Sequence, residues 1–267
     1  ARLHSGEAVI VKVLRPNLRK IIEADLRLMA HGARIVETEW PDMARYQPRE
    51  QMRHLAEGLN GELDLLNEAR NCELLAQIFE GRDDIVFPKI YWEWCSERVL
   101  VQEFIDGIPP NDEARLRAAG IDKKLLAQKG TDAFLQMALI EGVFHADPHP
   151  GNLLILPDNR IGFIDFGIVG RLGPAERRYL AEILWGFISR DYDRIARVHF
   201  EAGYVPPHHS VETFARALRA VGEPIFGMDA SQISMGRLLA HLFEVTERFG
   251  MRTQTQLILL QRTMVRP

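Results

Sequence analysis

The sequence predicts an α+β fold in two lobes: a small strand-containing lobe over residues 1–106, incomplete at its start, and a mostly helical lobe over 107–267. Three observations carry that reading. Apolar residues alternate with period two around Val9, Val11 and Val13, then recur at helical spacing as far as Phe79. Two short apolar runs joined by Pro157-Asp158-Asn159-Arg160 read as a hairpin in the middle of the chain. From Pro174 onward the periodic segments are helical.

His4-Ser5-Gly6-Glu7 reads as a turn between two strands, and a chain that starts at Ala1 reads as a piece of a longer protein. The strand from Ala8 places Val9, Val11 and Val13 on one face and Ala8, Ile10, Lys12 and Leu14 on the other. An ammonium on an apolar face is costly without a carboxylate, so Lys12 implies a partner. The plainer reading is a lysine at an exposed edge. Arg15-Pro16-Asn17 ends the strand, and a charged helix with Ile21, Ile22, Leu26 and Met29 follows to about Val36, with a break at Pro41. Helical periodicity returns from about Pro48 to Phe79. There Leu55, Leu59, Leu63 and Leu66 share one face, and Leu65, Cys72, Leu75 and Phe79 another. Glu68 falls inside the second stripe, and pairing it with Lys12 resolves two stranded charges at once. Glu62 and Asp64 read as a solvated face of the same helix, with Gly61 the place for a bend.

Strands are expected at Val86–Glu93 and Arg98–Phe104, with Tyr91, Trp92 and Trp94 as packing residues and Glu103-Phe104-Ile105-Asp106-Gly107 as a hinge. One long helix is expected from Ile121 to Val143. Further helices are expected from Pro174 to about Ser189 and near 191–203, 209–221 and 231–249.

Phe144 to Gly167 reads FHADPHPGNLLILPDNRIGFIDFG. Asp147 is followed five residues later by Asn152, the spacing of a kinase catalytic loop, in which the Asp takes the proton of an attacking hydroxyl and the Asn holds magnesium. Asp165-Phe166-Gly167 supplies a second metal carboxylate, and the hairpin between them brings Asn152 and Asp165 near each other. Each piece has a duller reading: Asp-Pro and Pro-Gly-Asn are ordinary turn chemistry, and a lone D-F-G occurs by chance. A third reading makes His145, Asp147 and His149 a metal cluster. The combination, not any one part, is specific. Pro174-Ala175-Glu176 departs from the A-P-E that closes a protein-kinase activation segment and follows Asp165 too soon for a peptide-docking loop.

The 267 residues are 46% hydrophobic and 26% charged, ordinary for a globular chain, and the net charge of −4 with no basic block gives no reason to expect nucleic acid. Cys72 and Cys95 offer no disulfide framework and fit a reducing compartment. The apolar segment Ala133–Phe144 is interrupted by Gln136, Glu141 and Gly142 and falls short of a membrane span.

VIVKVLRP around Lys12, ELDLLNEARN from Glu62 to Asn71, VQEFIDGIP from Val101, FHADPHPGN from Phe144 and IDFGIVGRL from Ile164 together resemble the motifs of the UbiB-type atypical kinases, the ABC-one family. The resemblance covers nearly the whole chain. It implies a kinase-like fold, ATP and Mg2+ as cofactors, Lys12 and Glu68 as the ion pair that orients phosphates, and Asp147 as the catalytic-loop Asp. It further implies Asn152 and Asp165 as metal ligands, Glu62 and Asp64 as an E-x-D motif near the nucleotide, and Glu103 of the hinge among the nucleotide-binding residues. The partners implied are isoprenoid quinone precursors or the enzymes of ubiquinone biosynthesis, at the cytoplasmic face of the bacterial inner membrane. Membrane attachment would run through C-terminal segments beyond this sequence. The family's K-x-G-Q extension and alanine-rich nucleotide loop are not found before Lys12, so weakened ATP binding is expected of this chain. Small-molecule phosphotransferases of the aminoglycoside or choline kinase type use a similar loop, and a non-transferring nucleotide or lipid module is a further alternative. The stretch ELDLLNE favours the UbiB type.

Overall fold

The computed structural model describes residues 1–40, 48–226 and 235–251. The chain divides into two compact units, one of Ala1–Phe134 with Val143–Gly170, the other of Leu135–Gly142 with the described residues from Arg171 onward.

In the first unit, β1 (Val9–Val13) pairs antiparallel with β3 (Val99–Glu103), Lys12 lying opposite Leu100 and Ile10 opposite Gln102. The alternation within β1 does not mark a buried stripe: Val9 packs with Tyr91 and Val101, while Val11 is 45% and Val13 64% exposed. A two-stranded sheet covers only part of each face, so period-two apolarity outruns the core available to it.

Helix α1 (Leu18–Glu39) follows; the break expected at Pro41 lies outside the described residues. The single helix expected from Pro48 to Phe79 is two, α2 (Pro48–Glu62) and α3 (Leu65–Ile78). The break falls at Leu63-Asp64. Asp64 has extended backbone angles and its carboxylate accepts from the Leu66 N–H at 3.0 Å, the signature of an N-cap. Within α3 the stripe Leu65, Cys72, Leu75 is buried, continued by Phe79 just beyond it, and Glu68 is buried among them. Burial raises the Cys72 thiol far above its ordinary range, with the nearby Glu68 carboxylate adding to it, which leaves it a packing residue.

The strand expected over Val86–Glu93 shrinks to β2 (Ile85–Val86), which pairs parallel with β6 (Arg160–Phe163). Pro88 has no N–H to offer a ladder, and Trp92–Trp94 coil into a 3-10 turn. Tyr91 packs as expected, but Trp92 and Trp94 stand at the surface with their indole N–H groups on Glu73 and Glu93. The hairpin forms one residue early on its second arm: β5 (Leu153–Leu156) pairs antiparallel with β6, Leu153 opposite Phe163 and Leu156 opposite Arg160. Its turn places Asp158 and Asn159 at φ of 62° and 56°, a region those two residue types tolerate best after glycine.

The long helix expected from Ile121 to Val143 ends sooner. α5 (Lys123–Leu135), preceded by the short α4 (Glu113–Ala118), gives way to a π-turn at Gln136–Glu141 and to Gly142 at φ 70°, after which β4 (Val143–His145) begins. At Gly142 a Cβ would lie 2.5 Å from the Leu172 carbonyl, so the chain can leave the helix there only with glycine.

β4 pairs with β7 (Val169–Arg171), and at Gly170 a Cβ would meet the Phe144 ring at 2.2 Å. Gly170→Ala is therefore expected to cost about 1–3 kcal/mol through overpacking, read as a lower urea midpoint with unchanged slope.

The second unit is helical: α6 (Pro174–Ser189), α7 (Tyr192–Glu201) and α8 (Val211–Gly222) lie close to their expected spans, and so does α9 (Met235–Arg248), whose expected first residues, 231–234, lie outside the described residues. Its core gathers Tyr192, Ile195, Phe214, Leu218 and Phe249. No helix among the described residues is long and apolar enough to cross a membrane.

Candidate functional site

The first unit brings Lys12, Glu68 and Asp165 together from β1, α3 and the segment after β6. The Lys12 ammonium meets Glu68 Oε1, lies 2.9 Å from Asp165 Oδ2 and donates to the Ile164 carbonyl at 3.3 Å. Burial pulls the ammonium down, but the two carboxylates outweigh it and leave the Lys12 pKa raised. Burial likewise pushes Asp165 up, yet Lys12 and the Gly167 N–H, 3.2 Å from Oδ1, leave it below the usual carboxylate range. Asp165 keeps 42% of its side chain exposed, so it is held in place and still reachable.

Glu68 has a second task. Its Oε1 also accepts from the Phe166 N–H at 3.3 Å, and Asn71, one helical turn on, donates from its side chain to the Phe166 carbonyl at 3.0 Å. α3 thus grips both backbone groups of Phe166, whose ring is fully buried against Phe87 and His145. Sequence reasoning passed over Asn71; its three-residue offset from Glu68 was the available signal.

The loop from β4 to β5 is joined to this group by His145. One ring nitrogen, Nε2, lies 2.6 Å from the Asp165 carbonyl and the other accepts the Asp147 N–H at 3.1 Å. Both contacts are met by a neutral ring protonated on Nε2, and burial lowers the His145 pKa in keeping with that. With both nitrogens engaged, the reading of His145 as a member of a metal cluster fails. Asn152 donates from its side chain to the Asp147 carbonyl at 2.9 Å, and the Ile164 N–H donates to the Asn152 carbonyl at 3.0 Å, which ties the loop to the end of β6.

Of the remaining sequence-predicted residues, Asp64 and Glu103 make other contacts. Asp64 caps α3; Glu62 ends α2 and its side chain lies outside the described residues. Glu103 alternates to the opposite sheet face from Lys12, and its carboxylate accepts the Lys89 N–H at 3.1 Å. Gln102, unremarked in the sequence, is on the face of Lys12: it is buried and donates to the same Ile164 carbonyl at 3.0 Å.

The side chain of Asn152 donates through its nitrogen, which leaves its oxygen as an acceptor, and its backbone carbonyl is bonded to Ile164, the residue before Asp165. The donor set of Asn152 and Asp165 is all oxygen and small, suited to Mg2+ completed by phosphate and water rather than to zinc. Among the described residues no group of three or more His, Cys, Asp and Glu side chains could by itself hold a metal ion.

Residues 1–199 match the ABC1 atypical kinase-like domain and residues 218–266 the UbiB helical domain. A protein of Aeromonas salmonicida (strain A449), described as a probable protein kinase UbiB, is 43% identical over 265 residues, 98% of this chain and 48% of its own length. The chain therefore spans about half the length of that curated relative. Among solved structures, the Mycobacterium tuberculosis protein Rv3197, determined in complex with erythromycin, superposes with a TM-score of 0.59 at 21% identity over 92% of this chain and 69% of its own, a likeness of fold.

Proposed function

The chain belongs to the ABC1 atypical kinase-like family, and from that premise we propose that it binds Mg-ATP and acts as a UbiB-type ATPase or phosphotransferase supporting ubiquinone biosynthesis. The observation that carries this reading is the linked set Lys12, Glu68, Asp165, His145, Asp147 and Asn152 within one unit.

In this reading Lys12, held by Glu68, orients the phosphates. Asn152 and Asp165 hold magnesium, which when bound neutralises phosphate charge. Asp147 orients the attacking hydroxyl or water and receives its proton. His145 keeps Asp147 and Asp165 in register while staying neutral. Glu62 and Asp64, as the E-x-D motif, serve the nucleotide from the small lobe, 1–106, whereas Glu103, on the sheet face away from Lys12, supports β3 instead, and the helical lobe, 107–267, completes the fold. The ATP-derived work is spent on isoprenoid quinone precursors or their enzymes at the inner face of a bacterial membrane.

The test is phosphate release from ATP and Mg2+, with and without vesicles carrying an isoprenoid phenol, beside an Asp147→Asn control. Release that rises with the lipid and vanishes in the control supports the reading. Label transferred to a soluble small molecule would replace it by a small-molecule phosphotransferase. A companion result is expected from Asp165→Asn. With ATP at about 100 times its Kd, the parent gains about 2.7 kcal/mol of stability in magnesium. The variant is expected to gain none, checked by thermal unfolding with and without nucleotide.

A further inference from the structure

We propose that His149 is a positioning residue whose imidazole ties the Asp147 carboxylate to the turn that carries Asn152. The inference deepens the reading of Asp147 and Asn152 given above and rests on it.

His149 touches both sides. Its Nδ1 accepts the Gly151 N–H at 2.9 Å, closing the one-turn 3-10 segment Pro150–Asn152. Its Nε2 lies 3.8 Å from Asp147 Oδ2. The backbone repeats the arrangement: the His149 N–H donates to the Asp147 carbonyl and the Asn152 N–H to the His149 carbonyl, both at 2.8 Å. Because Nδ1 is an acceptor, a neutral ring carries its proton on Nε2, and that N–H faces the carboxylate. The gap exceeds hydrogen-bond length, as catalytic contacts often do before substrate binds and tightens them.

The loop is also shaped around the ring. At Gly151 a Cβ would lie 2.5 Å from His149 Cε1, so any larger residue there must displace the imidazole. A side chain that served only the turn would need one acceptor atom, which Asn or Asp supplies. The second nitrogen, presented to Asp147, is what histidine adds.

The experiment separates the two nitrogens. In His149→Asn the amide oxygen can replace Nδ1 while nothing replaces Nε2. In His149→Gln the longer side chain can return an N–H towards Asp147 while the turn loses its acceptor. His149→Asn is expected to keep the nucleotide-dependent stabilisation and lose about 10- to 100-fold in kcat, as outer partners of active groups commonly do. His149→Gln should recover part of that kcat, and Gly151→Ala should mimic the loss. Unchanged kcat in His149→Asn overturns the proposal.

A second readout needs no turnover. Nitrogen-15 histidine spectra of the nucleotide-free protein should show Nε2 protonated and Nδ1 bare, with the Nε2 resonance moving in Asp147→Asn. The opposite tautomer, or an Nε2 signal indifferent to Asp147→Asn, also overturns it. If the parent protein shows no turnover, the reading of Asp147 fails, while the spectra still decide the place of His149.

Discussion

Asp147→Asn is expected to lower phosphate release by about 10²- to 10⁴-fold, the usual contribution of a positioned general base, while nucleotide binding persists. The loop should survive the change. It is held through backbone groups of residue 147, whose N–H donates to His145 and whose carbonyl accepts from Asn152 and His149, and an amide side chain is nearly isosteric with a carboxylate. Steady-state phosphate release together with nucleotide-dependent thermal unfolding checks both halves. Turnover at the parent rate would mean that the loop has been misassigned.

The second large effect is expected at Lys12. Lys12→Met leaves Glu68 as a buried carboxylate without its cation, and removing one member of such a pair costs about 3–5 kcal/mol. The loss should depend on pH, and its sign follows from the two shifted groups. Asp165 has a lowered pKa when folded, so the stability it draws from Lys12 is present above the ordinary carboxylate value and is lost as pH falls through the lowered one. Lys12 has a raised pKa, so its contribution is full below the ordinary lysine value and is lost as pH rises through the raised one. The stability gap between parent and Lys12→Met should thus be widest between those ranges and narrow on acidification. Urea unfolding near neutral pH and near pH 3 measures it. A gap of the same size at both would mean that the Lys12 carboxylate contacts contribute little to folding.

Much of the site was legible because it is written in local spacing. Asp147 to Asn152 is one loop, the hairpin that follows is fixed by a turn of Pro157, Asp158 and Asn159, and Glu68 announces itself as a charge in the stripe Leu65, Cys72, Leu75. Lys12 is paired, but not for the reason its strand suggests. An apolar strand face demands a carboxylate for an ammonium, yet the neighbouring positions on β1 are largely open, and the burial of Lys12 comes from Glu68 and the end of β6. What the spacing could not give were contacts made by ordinary polar residues. Asn71 on Phe166, Gln102 on Ile164 and the two-sided use of His145 depend on which backbone groups arrive opposite them, and no pattern in the chain records that.

Fold class, family and the helices of the second unit are readable from the chain, because hydrophobic period, caps and motif spacing are local quantities that any one segment displays. Where those periods stop depends on contacts that form only in the folded chain. Asp64 splits one apparent helix because its carboxylate finds the Leu66 N–H. Gly142 ends another because the Leu172 carbonyl lies where a Cβ would be, a steric fact contributed by a residue thirty positions away. The same holds for the charges: that Lys12 would be paired could be argued from one strand, but that it serves Glu68 and Asp165 at once required three elements to meet.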